Sequence, residues 1–122
     1  MERTPKYRIK HIGFNADDES GAKEAAEYMR MLFNFEELEE FKGGVFVDRS
    51  FEFMKGTGRG THGHIALYTE DIELAMEDLS RKGITFREDS IRYKEDGKIR
   101  LVYFEKELFG FAIHLSCLTG NP

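Results

Sequence analysis

Cysteine is almost missing from this chain: Cys117 is the only one among 122 residues. An internal disulfide is therefore excluded, and a lone thiol is compatible with a reducing cytoplasm. Long apolar runs are missing too, since no stretch approaches the ~20 residues that a membrane-spanning helix needs. The opening segment Met1-Glu2-Arg3-Thr4-Pro5-Lys6 lacks the apolar core of a signal peptide, so a cytoplasmic location is expected. Positive charge is not in excess. Lys and Arg total 18 against 23 Asp and Glu, a net charge of −5, and basic pairs such as Arg81-Lys82 are interspersed with acidic residues. Nucleic-acid binders carry a basic stripe, and none is present. Neither nucleic acid nor a membrane is expected as a partner.

What the chain does contain is the composition of a globular domain, 40% apolar and 34% charged. A chain of this length buries roughly two thirds of its surface on folding. It also contains a repeat. His64-Ile65-Ala66-Leu67-Tyr68-Thr69-Glu70-Asp71 restates His11-Ile12-Gly13-Phe14-Asn15-Ala16-Asp17-Asp18 at a distance of 53 residues. Each copy has His, Ile, a small residue, a large apolar residue, two variable positions, an acidic residue and Asp, and each precedes an amphipathic helical pattern. A period of this size implies two supersecondary units.

The first unit, residues 7–56, starts with a strand between Tyr7 and Ala16, in which His11, Gly13 and Asn15 share one face and Ile12 and Phe14 the other, with a phase shift at His11. Asp17, Asp18 and Ser20 offer N-cap oxygens. The following helix has an apolar stripe of Ala22, Ala25, Ala26, Met29, Leu32 and Phe33. Residues 35–41 and Val45-Phe46-Val47 read as strands joined by a Gly43-Gly44 turn, and Phe51-Glu52-Phe53 places Glu52 opposite its two Phe neighbours. Residues 57–63 form a Gly-rich linker. No helix follows it directly, so it lacks the helix N-terminus that a phosphate cradle requires.

The second unit, residues 64–118, repeats the order. His64 shares a face with Ala66 and Tyr68, Asp71 caps a helix ending near Lys82-Gly83, and Glu95-Asp96-Gly97 marks a hairpin between strands at 84–93 and 98–105. A last strand from Phe111 to Cys117 carries His114 between Ile113 and Leu115. The expected fold class is α+β, two βαβββ modules with curled mixed sheets forming a cleft within one compact domain.

Three of the four His residues and one Glu occupy matched places in the repeat: His11 and His64 in the first strands, Glu52 and His114 in the last. Pseudo-twofold packing lets them converge as a metal site of three imidazoles and a carboxylate. That set suits a divalent transition metal (Zn, Ni, Co, Mn or Fe) rather than Ca²⁺ or Mg²⁺, which prefer oxygen. His62 has no counterpart in the first unit and is left out of the ligand set. Asn15 and Tyr68 share the ligand faces and are candidate substrate-binding residues. Lys55 and Arg59 are candidate anion contacts, solvated loop charge being the plainer reading.

The unit order, with His11-Ile12-Gly13-Phe14 and Gly63-His64-Ile65-Ala66-Leu67 opening the two units, resembles the vicinal oxygen chelate superfamily of glyoxalase I, extradiol dioxygenases and the fosfomycin and bleomycin resistance proteins. The likeness spans residues 7–118. It implies a glyoxalase-like fold and metal ligands in the first and last strands of each module, where this chain has His11, Glu52, His64 and His114. In glyoxalase I the last-strand position often holds Glu, which also serves as base; His114 is a departure. Lys10 to Asn15, Phe51 to Lys55, Gly63 to Leu67 and Gly110 to Leu115 are similar to the glyoxalase-like domain at the C-terminus of some bacterial 2-dehydro-3-deoxyphosphogluconate aldolases. That likeness implies sugar-acid metabolism and an aldolase partner.

The chemistry expected of such a site is Lewis-acid polarisation of two vicinal oxygens on a small 2-oxo acid, sugar acid or hydroxy-ketone, catalysed by a lyase or isomerase with His114 or Glu52 as general base. The alternative is a non-catalytic metabolite-binding or aldolase-associated module with a structural metal or none. Open module edges leave room for a homodimer, with the cleft within one chain or between two.

Overall fold

In the computed structural model, residues 4–56 and 58–119 are described; Thr57, in the expected linker, lies outside them. The chain order is β1 (Arg8–Asn15), α1 (Glu19–Phe33), β2 (Leu38–Glu40), β3 (Gly44–Val47), β4 (Phe51–Met54), β5 (Gly63–Tyr68), α2 (Ile72–Arg81), β6 (Phe86–Tyr93), β7 (Ile99–Phe104) and β8 (Phe111–Ser116). This is βαβββ twice, and the class is α+β. The strands form a single mixed sheet in the order β2-β3-β4-β1-β5-β8-β7-β6. Within each unit the first and last strands run parallel, β1 with β4 and β5 with β8, while β1 and β5 pair antiparallel and weld the units together.

Local chemistry sets the helix starts. The Asp18 carboxylate accepts from Gly21 N at 2.7 Å and that of Asp71 from Leu74 N at 3.1 Å, satisfying N–H groups that the first turn leaves unpaired. Each helix then covers one apolar half of the same sheet face. Ala22 and Ala26 of α1 pack on Val45, Val47 and Phe53; Ile72 and Ala75 of α2 pack on Val102, Phe104, Ile113 and Leu115. Alternation along the strands sends Phe46, Gly13, Glu52, His64, Ala66, Tyr103 and His114 to the other face. Neither helix covers that face, yet His11, Glu52, His64 and His114 are buried. Rings of the neighbouring strands, Phe46 on His11 and Tyr103 on His114, shield them on this side, as expected of the concave side of a curled sheet.

Four expectations change in detail. The last turn of α1 overhangs the sheet: the edge strand β2 has only three residues, all exposed, so Leu32 and Phe33 are 47% and 62% exposed instead of completing the stripe. β2 is shorter than 35–41 because Phe35 turns back onto Phe33 and Phe51, while Phe41 already belongs to the turn, its N–H bonded to Gly44 O. β6 begins at Phe86 and has an irregular register between Arg87 and Tyr93. Within it, Ser90 Oγ donates to Arg87 O and accepts from Tyr103 N. Finally, Gly63 belongs to β5 and not to the crossing segment.

Candidate metal centre

The duplicated motif meets itself across the β1–β5 pair. His11 faces Ala66, Ile12 faces Ile65 and Gly13 faces His64. A local twofold therefore runs through the two isoleucines, and the small residue of each copy lies opposite the histidine of the other. The phase shift at His11 is a β-bulge at Lys10, because Ile9 pairs with Leu67 and His11 with Ala66. The small residues make room for the rings. A Cβ built on Gly13 would stand 2.1 Å from His64 Cε1, so this position tolerates only glycine while His64 keeps its place.

Neighbouring strands extend the two rows. Glu52 of β4 aligns with Gly13 and Phe46 with Glu52, while His114 of β8 aligns with Ala66 and Tyr103 with His114. Three donor atoms converge at the centre. His11 Nε2 lies 3.1 Å from His64 Nε2, and Glu52 Oε1 lies 3.4 Å from the first and 2.9 Å from the second. Metal–ligand bonds of about 2.1 Å at tetrahedral to octahedral angles set adjacent donors about 3.0–3.4 Å apart, so one ion can touch all three. The chemistry agrees: two imidazoles and a carboxylate suit a borderline transition metal. The three residues are 3%, 5% and 7% exposed (His11, Glu52, His64). A charge this far from water is costly unless it is paired, and a cation would complete the pairing.

His114 stands beside this trio rather than within it. Its ring centroid lies 6.0 Å from that of His11 and 5.9 Å from that of His64, and it is not one of the residues whose donor atoms all lie within 4.8 Å of one another. Its Nδ1 is buried without a hydrogen-bond partner. Burial first, then the neighbouring imidazoles, Lys10 and Arg59, push its pKa down to about 3, so His114 is neutral near pH 7. Asn15 and Tyr68 have other engagements. The Asn15 amide donates to Gly60 O at 3.0 Å and accepts from Gly58 N at 3.1 Å. Tyr68, four residues past His64 and so roughly 13 Å along the strand, carries the Arg8 guanidinium over its ring. His62 packs against Phe111, and Lys55 is paired with Glu40 and Glu19.

Two residues that the sequence did not single out as a wall complete the surroundings. Phe46 meets His11 edge-on with centroids 5.3 Å apart, and Tyr103 packs on His114 at 4.8 Å. Their only sequence signal is alternation, Val45-Phe46-Val47 and Val102-Tyr103-Phe104, which fixes a shared face but not which neighbour each meets. The Tyr103 hydroxyl has a raised pKa, burial outweighing the opposing pull of Arg59.

No protein-family profile and no curated protein matches the sequence. Solved structures do match it in fold. A hypothetical protein of Bacillus halodurans C-125 superposes with a TM-score of 0.59 at 13% identity, covering 91% of this chain and 94% of that one. A variant of the methylmalonyl-CoA epimerase of Streptomyces coelicolor, in complex with 2-nitronate-propionyl-CoA, gives a TM-score of 0.56 at 21% identity over 94% and 98%. The methylmalonyl-CoA epimerase of Mycobacterium tuberculosis gives 0.54 at 14% over 88% and 85%. The fold is glyoxalase-like. These identities speak for the fold alone, and it is the fold that the resemblance to the vicinal oxygen chelate superfamily implied. Among the described residues no helix is long and apolar enough to cross a membrane.

Proposed function

We propose that this protein is a metal-dependent isomerase or lyase acting on a small 2-oxo acid, sugar acid or hydroxy-ketone, with His11, Glu52 and His64 as ligands. One observation carries the proposal: three buried donors from three adjacent strands stand 2.9–3.4 Å apart, the spacing of ligands around one ion. A divalent transition metal held there supplies Lewis acidity toward two adjacent substrate oxygens. The other tasks belong to the chain. Glu52 brings negative charge to the ligand set and so offsets part of the cation's charge. Phe46 and Tyr103 wall the concave face, limiting water around the substrate. His114 is assigned as the proton acceptor on geometry: it lies beside the trio and its buried Nδ1 has no partner. The epimerase activity named for two of the matching structures agrees with isomerisation on this fold.

Metal analysis of protein purified without chelator tests the ligand set. About one equivalent of transition metal is expected, and His64→Ala should lose it. Exchange of the C3 hydrogens of 2-oxobutyrate in D₂O, followed by proton NMR, tests the chemistry. The metal-loaded protein should accelerate exchange and His114→Gln should abolish the acceleration while keeping the metal. Absence of metal at this site would overturn the proposal. Burial of all three ligands favours a second reading, a metabolite-binding module with a structural metal; metal retained without exchange or turnover of any 2-oxo or 2-hydroxy acid would establish it.

A further inference from the structure

Arg59 stands at the rim of the concave face and, although Glu105 and Glu107 share that rim, no ion pair holds it among the described residues. It belongs to the Gly-rich crossing segment, where free movement would be expected, yet the chain holds it in place from both sides. The single amide of Asn15 accepts from Gly58 N and donates to Gly60 O, bonding the residues before and after Arg59. Gly60 adopts φ +82° and has no room for a Cβ, which would lie 1.9 Å from Gly63 O. Thr61 N donates to Glu107 Oε1 at 3.1 Å, so the next turn is pinned as well.

The guanidinium carbon of Arg59 lies 4.0 Å from the centre of the Tyr103 ring, a cation–π contact. Tyr103 packs on His114, and His114 stacks on His64. A line of packed groups thus leads from the ligand trio to one oriented cation. The backbone of Tyr103 is itself tied by its N–H to Ser90 Oγ at 2.9 Å. Beside this line is a cavity of about 180 Å³, bordered by Arg59, Tyr103 and Ala112, the residue that aligns with His64. Glu105 and Glu107 share this rim, accepting from Thr85 Oγ1 and from Thr61 N, and their charge is countered by Lys106 and by Arg87, which is paired with Asp89.

We infer that Arg59 is a specificity residue that binds an oxyanion, carboxylate or phosphate, at the far end of a substrate whose vicinal oxygens face the His11–Glu52–His64 trio. The inference rests on the metal-site reading above and deepens it: the substrate is a small acid with a second anionic group a few carbon atoms from the chelating pair. Guanidinium presents a planar fork of donors that suits either anion. Asn15 is a positioning residue in this scheme, acting through the loop.

Three probes share one 2-hydroxy acid chelating group and differ beyond it: lactate ends in methyl, malate in a carboxylate, and 3-phosphoglycerate in a phosphate. Calorimetric titration of the Co²⁺-loaded protein should show malate, 3-phosphoglycerate or both binding at least ~10-fold tighter than lactate. Arg59→Met should erase that preference and leave lactate affinity and the cobalt spectrum unchanged; Asn15→Ala should erase part of it while Arg59 is still present. The preferred probe identifies the anion. Equal affinities in the wild-type protein, or a preference that survives Arg59→Met, would overturn the inference. Failure of the wild-type protein to hold Co²⁺ would instead overturn the metal-site reading beneath it.

Discussion

The two halves of the molecule share a backbone plan and differ in what hangs on it. By the twofold through Ile12 and Ile65, His11 corresponds to His64, Gly13 to Ala66, Glu52 to His114 and Phe46 to Tyr103, and every one of these pairs sits in equivalent register. Only the first half delivers its last-strand donor to the trio. Its wall is apolar, Phe46 stacking on Phe41 at 5.4 Å, whereas the wall of the second half is Tyr103 with Arg59 above it. Symmetric strands thus position the candidate ligands, while the side chains beside them differ, Phe46 and Phe41 on one side and Tyr103 with Arg59 on the other.

Exchanging the last-strand residues breaks this comparison most severely. Glu52→Gln keeps the shape and removes the charge, so affinity for Zn²⁺ or Co²⁺ should fall at least about 100-fold, beyond the 10–100-fold typical of residues that only support a ligand. His114→Gln should lower it less than about 10-fold, because the trio forms without His114. Competition with a chromophoric chelator measures both. Equal losses would mean that the two halves contribute equivalent ligands and that the asymmetry of the centre is mistaken.

The small residues come next. Gly13→Ala drives a methyl into the His64 ring and should cost about 1–3 kcal/mol of stability, as overpacked cores do, along with part of the metal affinity. The mirror change Ala66→Gly opens space beside His11 and should cost only about 1 kcal/mol through backbone freedom and lost burial. Thermal unfolding with and without metal distinguishes them. A harmless Gly13→Ala would show that the ring has other room, and the explanation for a small residue in each copy would fail.

Much of this was legible in the sequence because duplication presents each donor twice. The repeat alone nominated His11 and His64, and strand alternation nominated Glu52 and His114. The reason for Gly13 and Ala66 was not legible, although both were seen to be small: their function lies in the antiparallel register of β1 on β5, and one sequence does not state a register. Tyr103 was hidden for the same reason, its neighbour being fixed only when β7 pairs with β8. Asn15 was read as facing the site, but its amide is used by the crossing loop, whose glycine and polar residues carry no periodicity. The exposed Leu32 and Phe33 show the limit of a helical stripe, which reports an apolar face but not how far the sheet beneath it extends.

The helix caps give the smallest and sharpest contrast between the halves. Asp18 and Asp71 occupy equivalent sites and make the same bond, to the N–H three residues on. Replacement of such a cap by alanine costs about 0.5–2 kcal/mol. Their surroundings differ: the Asp18 bond is exposed, so water can take over the Gly21 N–H, while the Asp71 bond to Leu74 N is partly buried next to Ile72, which is 1% exposed. An unpaired donor is more costly where water reaches it poorly. Asp71→Ala should therefore approach the upper end of that range and Asp18→Ala the lower, a difference of a few degrees in Tm for a domain of this size. Equal shifts would mean that solvent reaches both helix starts alike, and that the second half is no more tightly closed at this point than the first.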